Sequence, residues 1–302
     1  MRPSNYNIIG PKPTNEEDLE FNNTIINCSI TLLGLKTTAH FFSRTSTFIP
    51  ISKYKIVKKG FTKGPPHWYG CEDQTEAATL RFLARKTSLP VPKVYCSFRH
   101  KNHFYIVMER IQGETLSEAW PKLSKVSKYE IYAQLRDMFQ ELRSLEPHPH
   151  RGVESTTAGS LRDFRYPRVS GPQPRFGSFR TIQEFHRQLR NNLPLEKLLG
   201  WKENHNWQEI KEVITKHDGP WPPPVFTHAN VSPSNILVRG DKVVGIVDWE
   251  FSGWYPHYWE YTSAWFGNST RPEWQDELEE FLDPFPMELE METIRRKWWG
   301  RH

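Results

Sequence analysis

The stretch from Val225 to Glu250 constrains the fold more than any other part of the chain. Two short apolar runs, Asn235–Val238 and Val243–Val247, read as strands joined by the turn Arg239-Gly240-Asp241. Ahead of them, Val225-Phe226-Thr227 leads into a polar loop from His228 to Asn235. Asp248 ends the second strand, thirteen residues after Asn235. A hairpin of that length turns back on itself, so it predicts Asp248 beside Asn235. Both side chains offer hard oxygen, the donor type that magnesium takes.

The region upstream reads as a small β-rich unit with one helix. Thr47–Ile51 and Tyr54–Lys58 look like strands around a turn, and a Gly/Pro-rich connection runs from Gly60 to Gly70. Asp73 and Glu76 open a helical stretch through Ala84, with Ala77, Leu80 and Leu83 at helical spacing. Lys93–Phe98 and His103–Met108 are predicted as partner strands around a polar turn. Beyond Thr115 the pattern is mainly helical, with Ile131–Leu145 and Phe185–Leu199 as helices and a helical tail from Trp274. The Gly, Pro, Arg and Ser-rich section from His148 to Phe179 reads as a long ordered loop. Residues 1–45 are polar, and the expectation is an arm or a short helix packed on the next lobe.

Phosphoryl transfer from ATP needs a cation at the phosphates, magnesium on hard oxygen ligands, and a group that orients the nucleophile. Protein kinases place that last group, an Asp, on a loop with an Asn five positions later, and put a metal-binding Asp beyond a short strand pair. Asn230, Asn235 and Asp248 repeat this spacing, with Asn230 at the Asp position.

The segments Phe226-Thr227-His228-Ala229-Asn230, Asn235-Ile236-Leu237-Val238 and Ile246-Val247-Asp248-Trp249-Glu250 through Gly253-Trp254-Tyr255-Pro256 resemble the aminoglycoside phosphotransferase family. They are most similar to its fungal branch of small-molecule kinase-like proteins, which read F-T-H-G-D-L-x-P-x-N-I-L-V and then I-I-D-W-E-x-A-G-W-Y-P. Glu76–Leu83, Leu89–Val94, Tyr105–Glu109, Gly113–Leu116 and Ala119-Trp120-Pro121 match as well, so the resemblance covers the chain from about Ser46 onward.

That resemblance implies an α+β, protein-kinase-like two-lobed fold. Its parts would be an N-terminal extension over 1–45, a nucleotide-binding β-rich lobe and hinge over 46–112, and a helical lobe with the catalytic-like loop over 113–302. Lys58 would hold the α- and β-phosphates and Glu76 would pair with it from the helix. Lys59 is the competing lysine; strand alternation puts the two on opposite faces, and the family's V-K-x-G spacing favours Lys58. Glu109 to Ile111 would be the hinge that bonds adenine, and Asn235 and Asp248 would hold Mg2+. The substrate would be a small molecule, in a cleft between the loop, the segment 151–180 and the aromatics Trp254, Tyr255, Tyr258, Trp259, Tyr261 and Trp265. Most of those aromatics read as core. Arg162, Arg165 and Arg168 receive no role.

Two departures from the family pattern matter: Asn230 replaces the catalytic Asp and Ala229 replaces a Gly. An amide accepts no proton at neutral pH, and a general base is worth roughly 10²–10⁴ in rate. Nucleotide and magnesium binding should therefore survive better than turnover. The leading expectation is a weak or specialised phosphotransferase acting on a metabolite. Two alternatives stand beside it: a kinase scaffold recruited to another reaction in secondary metabolism, such as a cyclisation, and a non-catalytic pseudokinase.

The net charge of +5 is mild and spread along the chain, which argues against a nucleic-acid partner. The cysteines Cys28, Cys71 and Cys96 form neither a metal pair nor a disulfide framework, and no apolar run reaches the ~18 residues that span a bilayer. These features predict a cytoplasmic protein with no membrane partner.

Overall fold

The computed structural model describes residues 23–45, 47–61, 75–149, 151–163, 175–200 and 205–300. Cys71, Asp73, Arg165 and Arg168, picked out from the sequence, lie outside them. The first element is α1 (Ile25–Lys36), capped by Thr24, whose hydroxyl accepts the Asn27 N–H at 3.2 Å. The strands β1 (Phe48–Pro50), β2 (Lys55–Phe61), β3 (Val94–His100) and β4 (His103–Glu109) form one antiparallel sheet in the order β1-β2-β4-β3, and α2 (Thr75–Lys86) lies between β2 and β3 in the chain.

Strand alternation sorts the sheet into two faces. Val57, Cys96, Phe98, Tyr105 and Val107 meet Cys28, Leu32 and Leu35 of α1, so the arm expected from the sequence does contain a helix docked on the sheet. The thiols Cys28 and Cys96 belong to this contact, and burial raises the pKa of both. Lys58, in register with Phe48 and Ile106, points to the opposite face, where α2 lies.

The larger lobe follows β5 (Glu114–Thr115) and α3 (Leu116–Ala119), whose start carries a Thr115/Glu118 capping box. Its remaining elements are α4 (Lys125–Arg143), β6 (Leu161–Arg162), β7 (Arg175–Phe176), α5 (Ile182–Leu189), α6 (His205–Asp218), β8 (Val225–Thr227), β9 (Ile236–Arg239), β10 (Lys242–Ile246), β11 (Gly253–Tyr255), α7 (Trp259–Gly267), α8 (Pro272–Glu277) and α9 (Pro286–Trp299). Small sheets pair β9 with both β10 and β5, β11 with β8, and β6 with β7. The α4 residues Ile131, Leu135, Phe139 and Leu142 enter one core with Phe226, Ile236, Trp249, Trp254, Tyr261 and Trp274. Of the six aromatics named from the sequence, Trp254, Tyr255, Tyr258, Trp259 and Tyr261 are buried, which is the core reading.

The sequence-based boundaries shift where local chemistry overrides periodicity. The helix expected from Ile131 begins at Lys125, because Ser124 caps it by accepting the Ser127 N–H. The helix expected over Phe185–Leu199 stops at Leu189, because Asn191 and Asn192 take left-handed φ values of 53° and 56° and Pro194 follows. Pro284 likewise separates α9 from α8, and Pro286 opens α9. The section His148–Phe179 is not all loop. It contains the β6–β7 pair and two bridges, Val153 to Phe179 and Glu154 to Trp254.

Gly152 lets this section close. A Cβ there would stand 1.9 Å from the Phe179 carbonyl oxygen and 2.6 Å from Arg180 backbone. Gly152→Ala should therefore lower stability by about 1–3 kcal/mol in thermal or urea unfolding. A variant that melts like the parent would show that the backbones do not approach so closely.

Candidate active site

Lys58 is the centre of the site. It stands on β2, a strand paired on both sides, and is 2% exposed. Its Nζ lies 2.7 Å from Glu76 Oε2, 2.8 Å from Asp248 Oδ1 and 3.2 Å from Glu250 Oε2. Burial alone would strip the proton from an ammonium. Here Glu76, Asp248 and Glu250 outweigh burial and hold the Lys58 pKa above the ordinary lysine value. Burial also works against the charge on Asp248, but Lys58 prevails and keeps that carboxyl below its usual range. Glu76 is the most deeply placed of the three carboxylates, and burial pushes its carboxyl upward in spite of Lys58.

The polar loop His228–Asn235 lies against this cluster. Asn230 Nδ2 donates to Asp248 Oδ2 at 2.9 Å, and Asn235 Nδ2 donates to the Asn230 carbonyl at 2.9 Å. The Val247 N–H donates to the Asn235 carbonyl at 2.9 Å. The β9–β10 hairpin does return Asp248 to the loop, as its length demands. Ala229 and Asp248 both take left-handed φ, 63° and 66°, which costs a side-chain-bearing residue about 1–2 kcal/mol. Glu260 on α7 holds the bend at Ala229: its carboxylate accepts the His228 N–H at 2.7 Å and the Ala229 N–H at 2.8 Å. His228 Nδ1 accepts the Asn230 N–H at 3.1 Å, so the ring proton sits on Nε2 and is donated to the Val247 carbonyl at 3.1 Å. One imidazole thus ties the loop to the residue before Asp248.

Lys58, Glu76, Asn230, Asn235 and Asp248 are therefore brought together. Glu109 is the last residue of β4, and Ile111 lies two residues beyond it. The Glu109 N–H donates to the Lys93 carbonyl and the Arg110 N–H to the Tyr54 carbonyl, each at 2.9 Å. Ile111 packs on Gly245 of β10, where a Cβ would meet its Cδ1 at 2.7 Å. The hinge expected from the sequence thus runs against the hairpin that ends in Asp248.

The sequence profile of the phosphotransferase enzyme family matches residues 64–289. The chain belongs to this family. Among solved structures it is similar to a thermostable mutant of aminoglycoside phosphotransferase APH(4)-Ia in ternary complex with AMP-PNP and hygromycin B. The TM-score is 0.53 at 12% identity, over 84% of this chain and 82% of that one. A ternary complex of APH(2")-IIa with streptomycin and ATP gives a TM-score of 0.50 at 15% identity, over 92% and 89% of the two chains. Likeness at these identities is one of fold, and the fold is the α+β two-lobed one expected from the sequence. A subtelomeric hrmA-associated cluster protein of Aspergillus fumigatus is 35% identical over 83 residues, which span 26% of this chain and only 16% of that relative.

Within this phosphotransferase fold, sequence reasoning passed over three residues that the site uses. Glu250 directly follows Trp249 and was given no role, yet it touches Lys58. Arg162, also given none, meets Glu250 at 3.0 Å. Glu260 lies thirty residues beyond Asn230, in the segment Tyr258-Trp259-Glu260-Tyr261 that continues the family resemblance, but it too was given no role. Among the described residues no helix is long and apolar enough to cross a membrane.

Buried histidines give this chain an acid-sensitive stability. Burial lowers the pKa of His228 to about 4 and that of His186 to about 3, against an unfolded value near 6.5. The unfolded chain therefore binds more protons between those values, and stability falls as pH drops through that window. His217, stacked on His186 and lowered by the same burial, adds to this loss, and the raised carboxyl of Glu76 opposes it. Urea unfolding should show lower stability at pH 5 than at pH 7. Equal stability at the two pH values would contradict the burial of neutral imidazoles.

Proposed function

We propose that this protein binds a nucleoside triphosphate with magnesium between the four-stranded sheet and the His228–Asn235 loop, and transfers phosphate slowly to a small molecule. The observation that supports this most is the meeting of Lys58, Glu76 and Asp248, three charged groups from separate elements, within 2.8 Å contacts. A lysine kept charged in a closed site is suited to holding phosphate, and Glu76 fixes where its ammonium stands. Backbone at Glu109 and Ile111 would receive the adenine edge.

The donor set also fits Mg2+. Asp248 is held ionised by Lys58, and Asn235, which uses its amide nitrogen on the Asn230 carbonyl, keeps its amide oxygen for a cation. Among the described residues no group of three or more His, Cys, Asp or Glu side chains could hold a metal alone. Phosphate oxygens and water would complete the shell. Bound there, magnesium supplies charge neutralisation at the phosphates.

Turnover is the weak point. The Asn230 amide donates to Asp248 and offers no basic group to a substrate hydroxyl. Phosphoryl transfer rests mostly on positioning and electrostatics, so the rate falls without vanishing. The same hydrogen bond favours, as a second reading, a protein that binds nucleotide without transferring phosphate.

Two measurements test these readings. Millimolar Mg·ATP should raise the melting temperature by about 2–4 °C, as ~1 kcal/mol of binding linkage does for a chain of this size. No shift would remove the nucleotide claim. With γ-labelled ATP and a panel of alcohols and amines, Asn230→Asp should raise transfer by roughly 10² or more. An unchanged rate would show that position 230 is not where the chemistry happens.

A further inference from the structure

The β6–β7 hairpin delivers a second cation to the site. Arg162 Nη1 donates to Glu250 Oε2 at 3.0 Å, and Lys58 Nζ lies 3.2 Å from the same oxygen. One carboxylate oxygen thus sits between an ammonium from the sheet and a guanidinium from the larger lobe. A phosphate oxygen carries the same charge and accepts from the same donors.

The position of Arg162 is built into the fold. Its strand pairs with β7, with Arg162 opposite Arg175. Arg175 holds the Ser160 carbonyl at 2.7 Å and reaches Thr75 Oγ1, at the start of α2, at 3.4 Å. The hydroxyls of Thr79 and Thr156 meet at 2.6 Å, and Glu154 bridges to Trp254 on β11. The segment that carries Arg162 is therefore tied both to the helix that supplies Glu76 and to the strand that follows Glu250.

Among the described residues the charges that meet at Lys58 are unequal: Glu76, Asp248 and Glu250 face Lys58 and Arg162, so anionic phosphates arriving here would meet an excess of carboxylate unless one of the three withdrew. Glu76 is 7% exposed, and both oxygens of Asp248 are engaged, by Lys58 and by Asn230. Glu250 is 21% exposed and sits on the short turn Trp249–Phe251, which leaves it a path to water.

We propose that Arg162 is a phosphate-binding residue of the nucleotide site, and that Glu250 keeps the place of a phosphate oxygen between Arg162 and Lys58 until nucleotide arrives. This rests on the nucleotide-binding reading above and assigns two further residues to that site. The two members of one ion pair then act in opposite directions. Arg162 attracts phosphate, and Glu250 competes with it.

Calorimetric titration of the full chain with Mg·ATP, and with adenosine as a probe that lacks phosphate, tests this. Arg162→Met should weaken Mg·ATP binding by about tenfold or more, the size of a lost charge-assisted hydrogen bond, and leave adenosine binding within about twofold. Arg162→Lys, which keeps the charge but loses the planar fork, should fall between. Glu250→Gln should tighten Mg·ATP. If Arg162→Met does not fold, Arg162→Lys against Glu250→Gln carries the comparison through their opposite signs. Two substitutions that weaken Mg·ATP alike would make the pair a structural brace and overturn the proposal, as would Mg·ATP binding indifferent to position 162. A parent protein that binds no Mg·ATP would overturn the nucleotide reading, and this inference with it.

Discussion

The structure depends on keeping one buried lysine charged. Lys58 has almost no access to water, and an ammonium in that position is stable only with opposite charge around it. The chain supplies that charge from two directions: Glu76 from α2, and Asp248 and Glu250 from beyond the β9–β10 hairpin. Glu76 is held by α2 and the other two by the segment after the hairpin, so meeting at Lys58 fixes the sheet, the helix and the hairpin relative to one another. Breaking a buried pair of this kind by removing one partner typically costs about 3–5 kcal/mol. The geometry that a phosphotransferase needs is thus also a condition for the fold.

The reach of the sequence follows from the range of the interactions. Asn235 and Asp248 were legible as neighbours because a strand, a tight turn and a strand admit one return path. Alternation in β2 sends Lys58 and Lys59 to opposite faces, and the V-K-x-G spacing of the resembling family favoured Lys58. The failures came where side chains or special backbone decide. Asn191 and Asn192 end α5 by taking left-handed backbone that periodicity does not register. Helix α6 starts beside residues 201–204, in a polar stretch that was assigned no element. Glu260 supports the loop through main-chain N–H groups, and Arg162 meets Glu250 across 88 residues of sequence. The Arg162–Glu250 partnership leaves no local pattern, and the family match at Glu260 did not say what its carboxylate holds.

The departures at Ala229 and Asn230 have different physical weight. Position 229 demands a left-handed backbone, which glycine adopts freely and alanine adopts at a cost. The two bonds from Glu260 offset that cost, so the loop keeps its shape. Position 230 keeps its place but changes its chemistry: the amide donates to Asp248 where a carboxylate would be repelled by it. The loop is therefore preserved as architecture while its capacity to take a proton is lost. On the proposed reading, that combination would separate nucleotide binding from turnover while the charged centre stays in place.

A crystal structure of the full chain with magnesium and a non-hydrolysable ATP analogue tests the account most directly. It should show Lys58 still paired with Glu76 while touching a phosphate oxygen, with the cation on the side-chain oxygens of Asn235 and Asp248. Nucleotide bound away from Lys58, or a Lys58 that keeps all three carboxylates while the analogue occupies another surface, would contradict it.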